Sequence, residues 1–119
     1  MTGDAGQPRS FRSITAAEAR KKMEDGNVQV VDVRPPFDFA GGHIPNSLSL
    51  PGQALRTRAA QLSPDREILI VSEYHRQSLE ACALATSLGF KAVASLEGGF
   101  EAWLAAGYDI HTISDSMAG

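Results

Sequence analysis

Blocks of apolar residues alternate with polar stretches along this chain. Residues 28–33 (VQVVDV) and 67–72 (EILIVS) are rich in β-branched and aliphatic side chains and lack a helical period, which is typical of strands buried on both faces of a parallel sheet. Residues 91–96 (KAVASL) form a similar run, and residues 48–51 (LSLP) form a short one that a proline ends. The pattern therefore predicts four strands.

The segments between these strands carry helix signals. Thr15 and Glu18 have the spacing of a capping box and Gly26 supplies a stop, which together predict a helix over residues 16–24. Further helices are predicted at 53–62, from Gln77 or Ser78 to Gly89, and from 98 to Gly107, with one short helical turn at 37–39. Strands that alternate with helices favour an α/β sandwich, in which a parallel sheet carries helices on both faces. Such sheets bind ligands beyond the carboxyl ends of their strands.

Composition narrows the class of protein further. The 119 residues suffice for one domain with its own core. The 11 basic and 14 acidic residues are interspersed, so no basic block predicts a nucleic-acid or membrane surface. Cys82 is the single cysteine, which excludes an internal disulfide, and no apolar run approaches the roughly 20 residues that span a bilayer. A cytoplasmic protein is expected, with residues 1–11 as a flexible tail.

Ser72 stands where the second long strand meets the following helix. A helix that begins after a strand directs free N–H groups towards the connecting loop, and this arrangement binds anions. A cysteine at this position would have its pKa lowered, whereas a serine hydroxyl gains much less and cannot carry sulfur as a persulfide. The candidate site contains Ser72 and the six residues after it, which are Glu73, Tyr74, His75, Arg76, Gln77 and Ser78.

Two longer motifs resemble the signatures of a known family. VVDVRPPFDFAGGHIPNSLSLP (residues 30–51) is similar to the first signature of rhodanese-homology domains, and LEGGFEAWLAAGY (residues 96–108) is similar to their closing signature. The resemblance implies a rhodanese-like three-layer sandwich, with a five-stranded, mainly parallel sheet flanked by helices on both faces. It also implies a single domain over residues 12–110, followed by a C-terminal tail at 111–119.

Where this chain differs from active members of the family, the differences fall on residues that take part in the reaction. Active members move sulfane sulfur from a donor such as thiosulfate, through a cysteine persulfide, to a thiophilic acceptor, and Ser72 matches that cysteine. His75 stands where many members have glycine and Gln77 where many have arginine, while Arg76 offers a cation one position earlier. The related cradle of cysteine phosphatases needs an arginine where this chain has Ser78. We therefore expect neither the sulfurtransferase activity of the family nor phosphatase activity in this chain.

The other reactive side chains have structural interpretations. Cys82 lies among leucines and alanines of a predicted helix and is expected in the core. His43 has no partner at ligand spacing, and in the resembling signature this histidine orders its loop through ring hydrogen bonds, so no metal or cofactor is expected. Asp32 and Arg34 flank a strand end and are expected to brace the same loop.

Three interpretations of Ser72 stay open: a natural loss of the catalytic cysteine, a serine nucleophile with His75 as its base, and deliberate replacement of a cysteine. The favoured hypothesis is a catalytically inactive rhodanese-like domain that acts as a binding or regulatory module. Its degenerate anion-cradling loop would bind a small anion weakly, because Glu73 opposes it, and the loop tip would bind a protein partner. The alternative is a thiosulfate or related sulfane sulfurtransferase in which Ser72 has replaced the cysteine.

Overall fold

The sheet contains five parallel strands. In the computed structural model, which describes residues 11–113, they are β1 (Arg12–Ile14), β2 (Val28–Asp32), β3 (Leu48–Ser49), β4 (Glu67–Val71) and β5 (Val93–Leu96). Their order is β1-β5-β4-β2-β3, and every neighbouring pair is parallel. The four strands predicted from the pattern and the five-stranded sheet implied by the resemblance are confirmed. The pattern missed β1 because only one of its three residues is buried, which leaves no alternation to detect.

Helices connect these strands. In the described part of the chain they are α1 (Ala16–Glu24), α2 (Pro36–Gly41), α3 (Ala54–Thr57), a 3₁₀ helix (Ala59–Gln61), α4 (His75–Ser87) and α5 (Gly99–Ala105). The predicted capping box of α1 is confirmed. Thr15 Oγ1 accepts from the Glu18 N–H at 3.1 Å, and the Glu18 carboxylate accepts from the Thr15 N–H at 2.9 Å. The Thr15 N–H stabilises the charged carboxylate and so lowers the pKa of Glu18.

The predicted helix over residues 53–62 is wrong as a single element. It divides at Arg58, whose φ of −115° and ψ of 19° lie outside the helical region, into α3 and the 3₁₀ helix. Gln29 draws the end of this segment towards the sheet, because its side-chain amide donates to the Ser63 carbonyl at 2.9 Å and accepts from the Ser63 N–H at 2.6 Å. These long-range hydrogen bonds fix the chain just after the 3₁₀ helix, and local helix propensity does not encode them.

The predicted start of the next helix at Gln77 or Ser78 is also wrong, because α4 begins at His75. Tyr74 is its N-cap residue, and the Tyr74 carbonyl accepts from the Ser78 N–H at 3.2 Å. A hydrogen bond of 2.7 Å between the Ser72 and Ser78 hydroxyls ties this first turn to the end of β4. Three residues therefore connect β4 to α4, whereas a helix start at Gln77 or Ser78 would have left a loop of five or six residues.

Apolar side chains pack on both faces of the sheet. Along β4, Leu69 and Val71 belong to a cluster with residues of α1 and α5, while Ile68 and Ile70 belong to a second cluster with residues of α3 and α4. Cys82 is fully buried in the second cluster, as predicted, and burial raises the pKa of its thiol to about 12. Within residues 11–113, no helix has the length and apolar character needed to cross a membrane.

Candidate functional site

Ser72 lies at the carboxyl end of β4, at the centre of the five-stranded sheet. Its carbonyl oxygen accepts a hydrogen bond from the N–H of Phe100, near the start of α5, at 3.0 Å. Gly99 permits this close approach, because its φ is +64° and a Cβ atom there would lie 2.5 Å from Ser72 O. The second glycine of the LEGG motif therefore lets α5 pack directly against the end of β4.

The hydroxyl of Ser72 is buried and makes two hydrogen bonds. Ser72 is 1% exposed, and its Oγ donates to the Tyr74 carbonyl oxygen at 3.1 Å. The same Oγ lies 2.7 Å from Ser78 Oγ. Because a hydroxyl has one hydrogen and that of Ser72 points to Tyr74, Ser78 is the donor in the second bond. While both bonds are formed, the Ser72 hydrogen is therefore directed to the Tyr74 carbonyl and not to a base.

A cavity of about 270 Å³ opens beside Ser72. It is lined by Ser13, Ser72, Glu73, Tyr74, His75, Ser78, Ser95, Leu96, Glu97, Gly98 and Gly99. Four serines and the two glutamates, Glu73 and Glu97, make up more than half of this lining, and among the described residues that form it none is lysine or arginine. The lining therefore combines two acidic residues with serine hydroxyls, which can donate or accept hydrogen bonds, and with the imidazole residue His75.

The structure brings only part of the predicted site together. Glu73, Tyr74, His75 and Ser78 line the cavity with Ser72. Arg76 is exposed on the first turn of α4 and does not line it. Gln77 instead lines a second cavity of about 290 Å³, which lies between α3 and α4. Arg76, the cation that was expected near the loop, therefore lies outside the cavity beside Ser72.

Sequence reasoning missed the cavity residues that lie outside this loop. Ser13 comes from β1, Ser95 and Leu96 come from β5, and Glu97 to Gly99 follow β5. These segments adjoin Ser72 because β5 lies between β1 and β4, an order that a single sequence does not reveal. The closing LEGG motif was the one signal that could have indicated part of this wall.

Asp32 and Arg34 form a buried ion pair next to the site. Asp32 is 0% and Arg34 4% exposed, and Arg34 Nε and Nη2 contact the carboxylate oxygens at 2.8 to 3.1 Å. Arg34 Nη2 also donates to the Gly42 carbonyl at 2.6 Å, and the guanidinium lies 3.9 Å from the ring centre of Phe100. The pair therefore joins the end of β2 both to the loop after α2 and to α5.

His43 holds the same loop from its other side. Its Nδ1 lies 2.8 Å from the Phe39 carbonyl, so Nδ1 carries the hydrogen, and its ring stacks on that of Phe39 at 3.8 Å. The backbone of His43 pairs with that of His111 through two hydrogen bonds of 2.9 Å, so His111 has a structural role that the sequence did not indicate. Within the described residues, no group of three or more His, Cys, Asp or Glu could hold a metal ion.

Comparisons with known proteins agree with this architecture. The rhodanese-like domain model matches residues 15–106, and the chain therefore belongs to the rhodanese-like domain family. It is similar to the Alr3790 protein from Anabaena sp., with 29% identity, a TM-score of 0.79 and coverage of 88% of this chain and 86% of that chain. It is also similar to a rhodanese-related protein from Thermoplasma volcanium, with 30% identity, a TM-score of 0.74 and coverage of 85% and 98%. It is similar as well to a rhodanese-like domain protein from Staphylococcus aureus, with 28% identity, a TM-score of 0.70 and coverage of 78% of this chain and 91% of that chain.

Proposed function

We propose that this rhodanese-like domain does not transfer sulfur and instead binds a partner at the edge of the sheet around Ser72. The observation that carries the proposal is the Ser72 hydroxyl, which is buried and hydrogen-bonded to Ser78 Oγ and to the Tyr74 carbonyl. Transfer of sulfane sulfur needs a sulfur atom that can hold a second sulfur as a persulfide. The oxygen atom of Ser72 supplies no such group.

The surroundings of Ser72 also disfavour a serine nucleophile. Such a nucleophile needs a base that removes its proton and donors that stabilise an oxyanion. The hydrogen of Ser72 is directed to a carbonyl oxygen, which is not a base. His75 lines the same cavity, but the hydrogen bonds of Ser72 go to Ser78 and Tyr74. This arrangement supports a role in recognition rather than in hydrolysis.

Weak affinity for small anions is part of the proposal. The N–H groups in the first turn of α4 have no acceptor within the helix, and its N-cap residue, Tyr74, makes no side-chain cap. Arg76 adds a cation on the same turn. Glu73 and Glu97 line the neighbouring cavity, however, and their charges repel an anion. We therefore expect weak binding of thiosulfate or phosphate, and we expect a protein partner to be the main ligand.

An assay of thiosulfate-to-cyanide sulfur transfer tests the loss of catalysis. The chain as it stands, Ser72→Ala and Ser72→Cys are compared at equal concentration, with intact-mass measurement after thiosulfate treatment. We expect no turnover and no added sulfur for the serine and alanine forms. Turnover by the serine form that disappears in Ser72→Ala, or a persulfide on the serine form during turnover, would overturn the proposal.

One observation favours the alternative, a sulfurtransferase in which Ser72 stands in place of a cysteine. The Ser78 hydroxyl, 2.7 Å from Ser72 Oγ, is placed to donate a hydrogen bond to a thiolate at the same position. Under this alternative, the Ser72→Cys variant gains both turnover and a persulfide. If Ser72→Cys remains inactive while staying folded, the scaffold itself has lost the chemistry and the alternative is contradicted.

A further inference from the structure

Two exposed aromatic side chains lie at the edge of the sheet that carries Ser72. Phe37 is 87% exposed and Tyr74 is 64% exposed, which makes them the most exposed large hydrophobic residues in the described part of the chain. Phe37 lies in α2, which follows β2, and Tyr74 lies between β4 and α4. Because β2 and β4 are neighbouring parallel strands, the segments that carry these two residues both follow the carboxyl-end edge of the sheet. Large aromatic residues in such positions are enriched at protein interfaces.

The charge at this edge indicates what kind of partner fits there. Glu73 and Glu97 line the cavity beside Ser72 together with Ser13, Ser95 and His75, while Arg76 lies outside it on the first turn of α4. The guanidinium of Arg34 is already paired with Asp32 in the interior. A cationic group would find carboxylate and hydroxyl acceptors in this cavity, whereas an anion would meet two negative charges.

We propose that this edge is a docking surface for a partner protein that presents a lysine or arginine next to an apolar side chain. The cationic group enters the cavity lined by Glu73 and Glu97, and the apolar side chain packs on Tyr74 and Phe37. The inference rests on the binding role proposed above and specifies the chemistry of the partner. The exposed aromatic rings favour a protein segment over a free amine, because a free amine has no apolar neighbour to cover them.

A set of matched peptides provides the test. The probe is an acetylated, amidated tripeptide with arginine between two leucines, and its controls replace arginine by citrulline, which has the same shape without the charge, or both leucines by alanine. Binding is followed through the backbone amide NMR signals of Glu73, Ser95 and Glu97. We expect saturable shifts at these amides with the arginine peptide, weaker binding of the citrulline peptide, and weaker binding when the leucines are removed.

Variants of the protein identify the groups that bind. Glu73→Gln and Glu97→Gln should each weaken binding of the arginine peptide about threefold, as expected for partly exposed ion pairs. Glu80→Gln removes the same charge from α4 but lines the second cavity, so it should leave the affinity unchanged. Tyr74→Ser should remove most of the advantage of the leucines while leaving the preference for arginine over citrulline.

Equal affinity for the arginine and citrulline peptides would overturn the proposal, as would shifts confined to the second cavity or an equal loss of affinity in Glu80→Gln. Tighter binding of thiosulfate than of the arginine peptide would overturn it as well. Stronger binding of butylguanidinium than of the tripeptide would show that a free cation, not a protein segment, is the ligand. None of these results depends on sulfur transfer, so the loss of catalysis is tested separately by the turnover assay.

Discussion

Ser72 directly follows β4 and Cys82 lies in the next element, α4, but the two residues differ in both their surroundings and their reactive atom. Ser72 lines an open polar cavity at the end of β4 but carries oxygen. Cys82 carries sulfur but is 0% exposed among apolar side chains of α3, α4 and the sheet. Burial there raises the pKa of the Cys82 thiol to about 12, so almost no thiolate exists at neutral pH. The contrast shows that position, rather than the presence of a thiol, decides whether sulfur chemistry is available.

The two regions also differ in what holds them together. Cys82 is surrounded by apolar contacts between helices and sheet. The free energy that such contacts contribute is roughly proportional to the apolar area they bury. The edge around Ser72 depends on buried polar contacts: the pairing of Arg34 with Asp32 and the bond from Phe100 N–H to the Ser72 carbonyl. Such contacts need specific partners, so single changes at the edge should have sharper effects than conservative changes in the core.

The largest expected effect is on thiol reactivity. Both positions are buried, but in Ser72→Cys the introduced thiol lines a cavity with polar residues, whereas Cys82 is enclosed by an apolar cluster. We expect the introduced thiol to react with iodoacetamide at pH 8 at least about a hundredfold faster than Cys82, because the thiolate fraction of Cys82 is far smaller. Peptide mass spectrometry of a time course measures both rates, and Ser72→Cys combined with Cys82→Ala is the control. Similar rates for the two thiols would remove the contrast on which the comparison depends.

The next largest effect concerns the buried ion pair. Arg34→Ala leaves the carboxylate of Asp32 buried without its partner, which should lower the free energy of unfolding by about 3–5 kcal/mol. Arg76→Ala is the matched control, because Arg76 is exposed and its removal should change stability by no more than about 0.5 kcal/mol. Urea unfolding followed by circular dichroism measures both. A loss below about 1 kcal/mol in Arg34→Ala would contradict the view that this pair supports the edge.

Much of the fold could be predicted from local sequence, for reasons visible in particular residues. Thr15 and Glu18 predict the start of α1 because both hydrogen bonds of a capping box form within four consecutive residues. The runs in β2 and β4 are recognisable because both faces of these central strands are buried. The core position of Cys82 followed from its apolar neighbours in the sequence. Each of these signals is local, so no knowledge of the tertiary structure was needed.

The site was harder to predict because it depends on contacts between distant segments. Ser13, Ser95 and Glu97 reach the cavity only because β5 lies between β1 and β4. The early start of α4 accompanies a hydrogen bond between Ser72 and Ser78 that residue propensities do not encode. Arg76 looked available to the loop in sequence, yet the helix that begins at His75 places it outside the cavity. The negative character of the site followed from this placement rather than from the loop's composition.

The smallest expected effect is in the core and depends on pH. Cys82→Ala removes one buried sulfur atom and should lower the free energy of unfolding by about 1 kcal/mol at pH 7. Because the folded thiol has a pKa raised from 9.0 to about 12, the folded state keeps its proton over a range in which the unfolded chain loses it. The stabilisation that this proton provides is complete below pH 9 and is lost as the pH rises towards 12.

Other groups also titrate in this range, so the informative quantity is the difference between the parent chain and Cys82→Ala. When unfolding in urea is measured at a series of pH values, that difference should shrink above pH 9 and reverse in sign before pH 12, because the effect of a pKa raised from 9.0 to about 12 outweighs the roughly 1 kcal/mol expected at pH 7. Ser72→Ala is the matched control, since a hydroxyl does not ionise there, and its difference from the parent should stay constant. If the Cys82→Ala difference were instead independent of pH, the thiol would ionise as readily in the folded chain as in the unfolded one. Cys82 would then be open to water, and the contrast between a sulfur enclosed by apolar side chains and a serine at the wall of a polar cavity would no longer describe this domain.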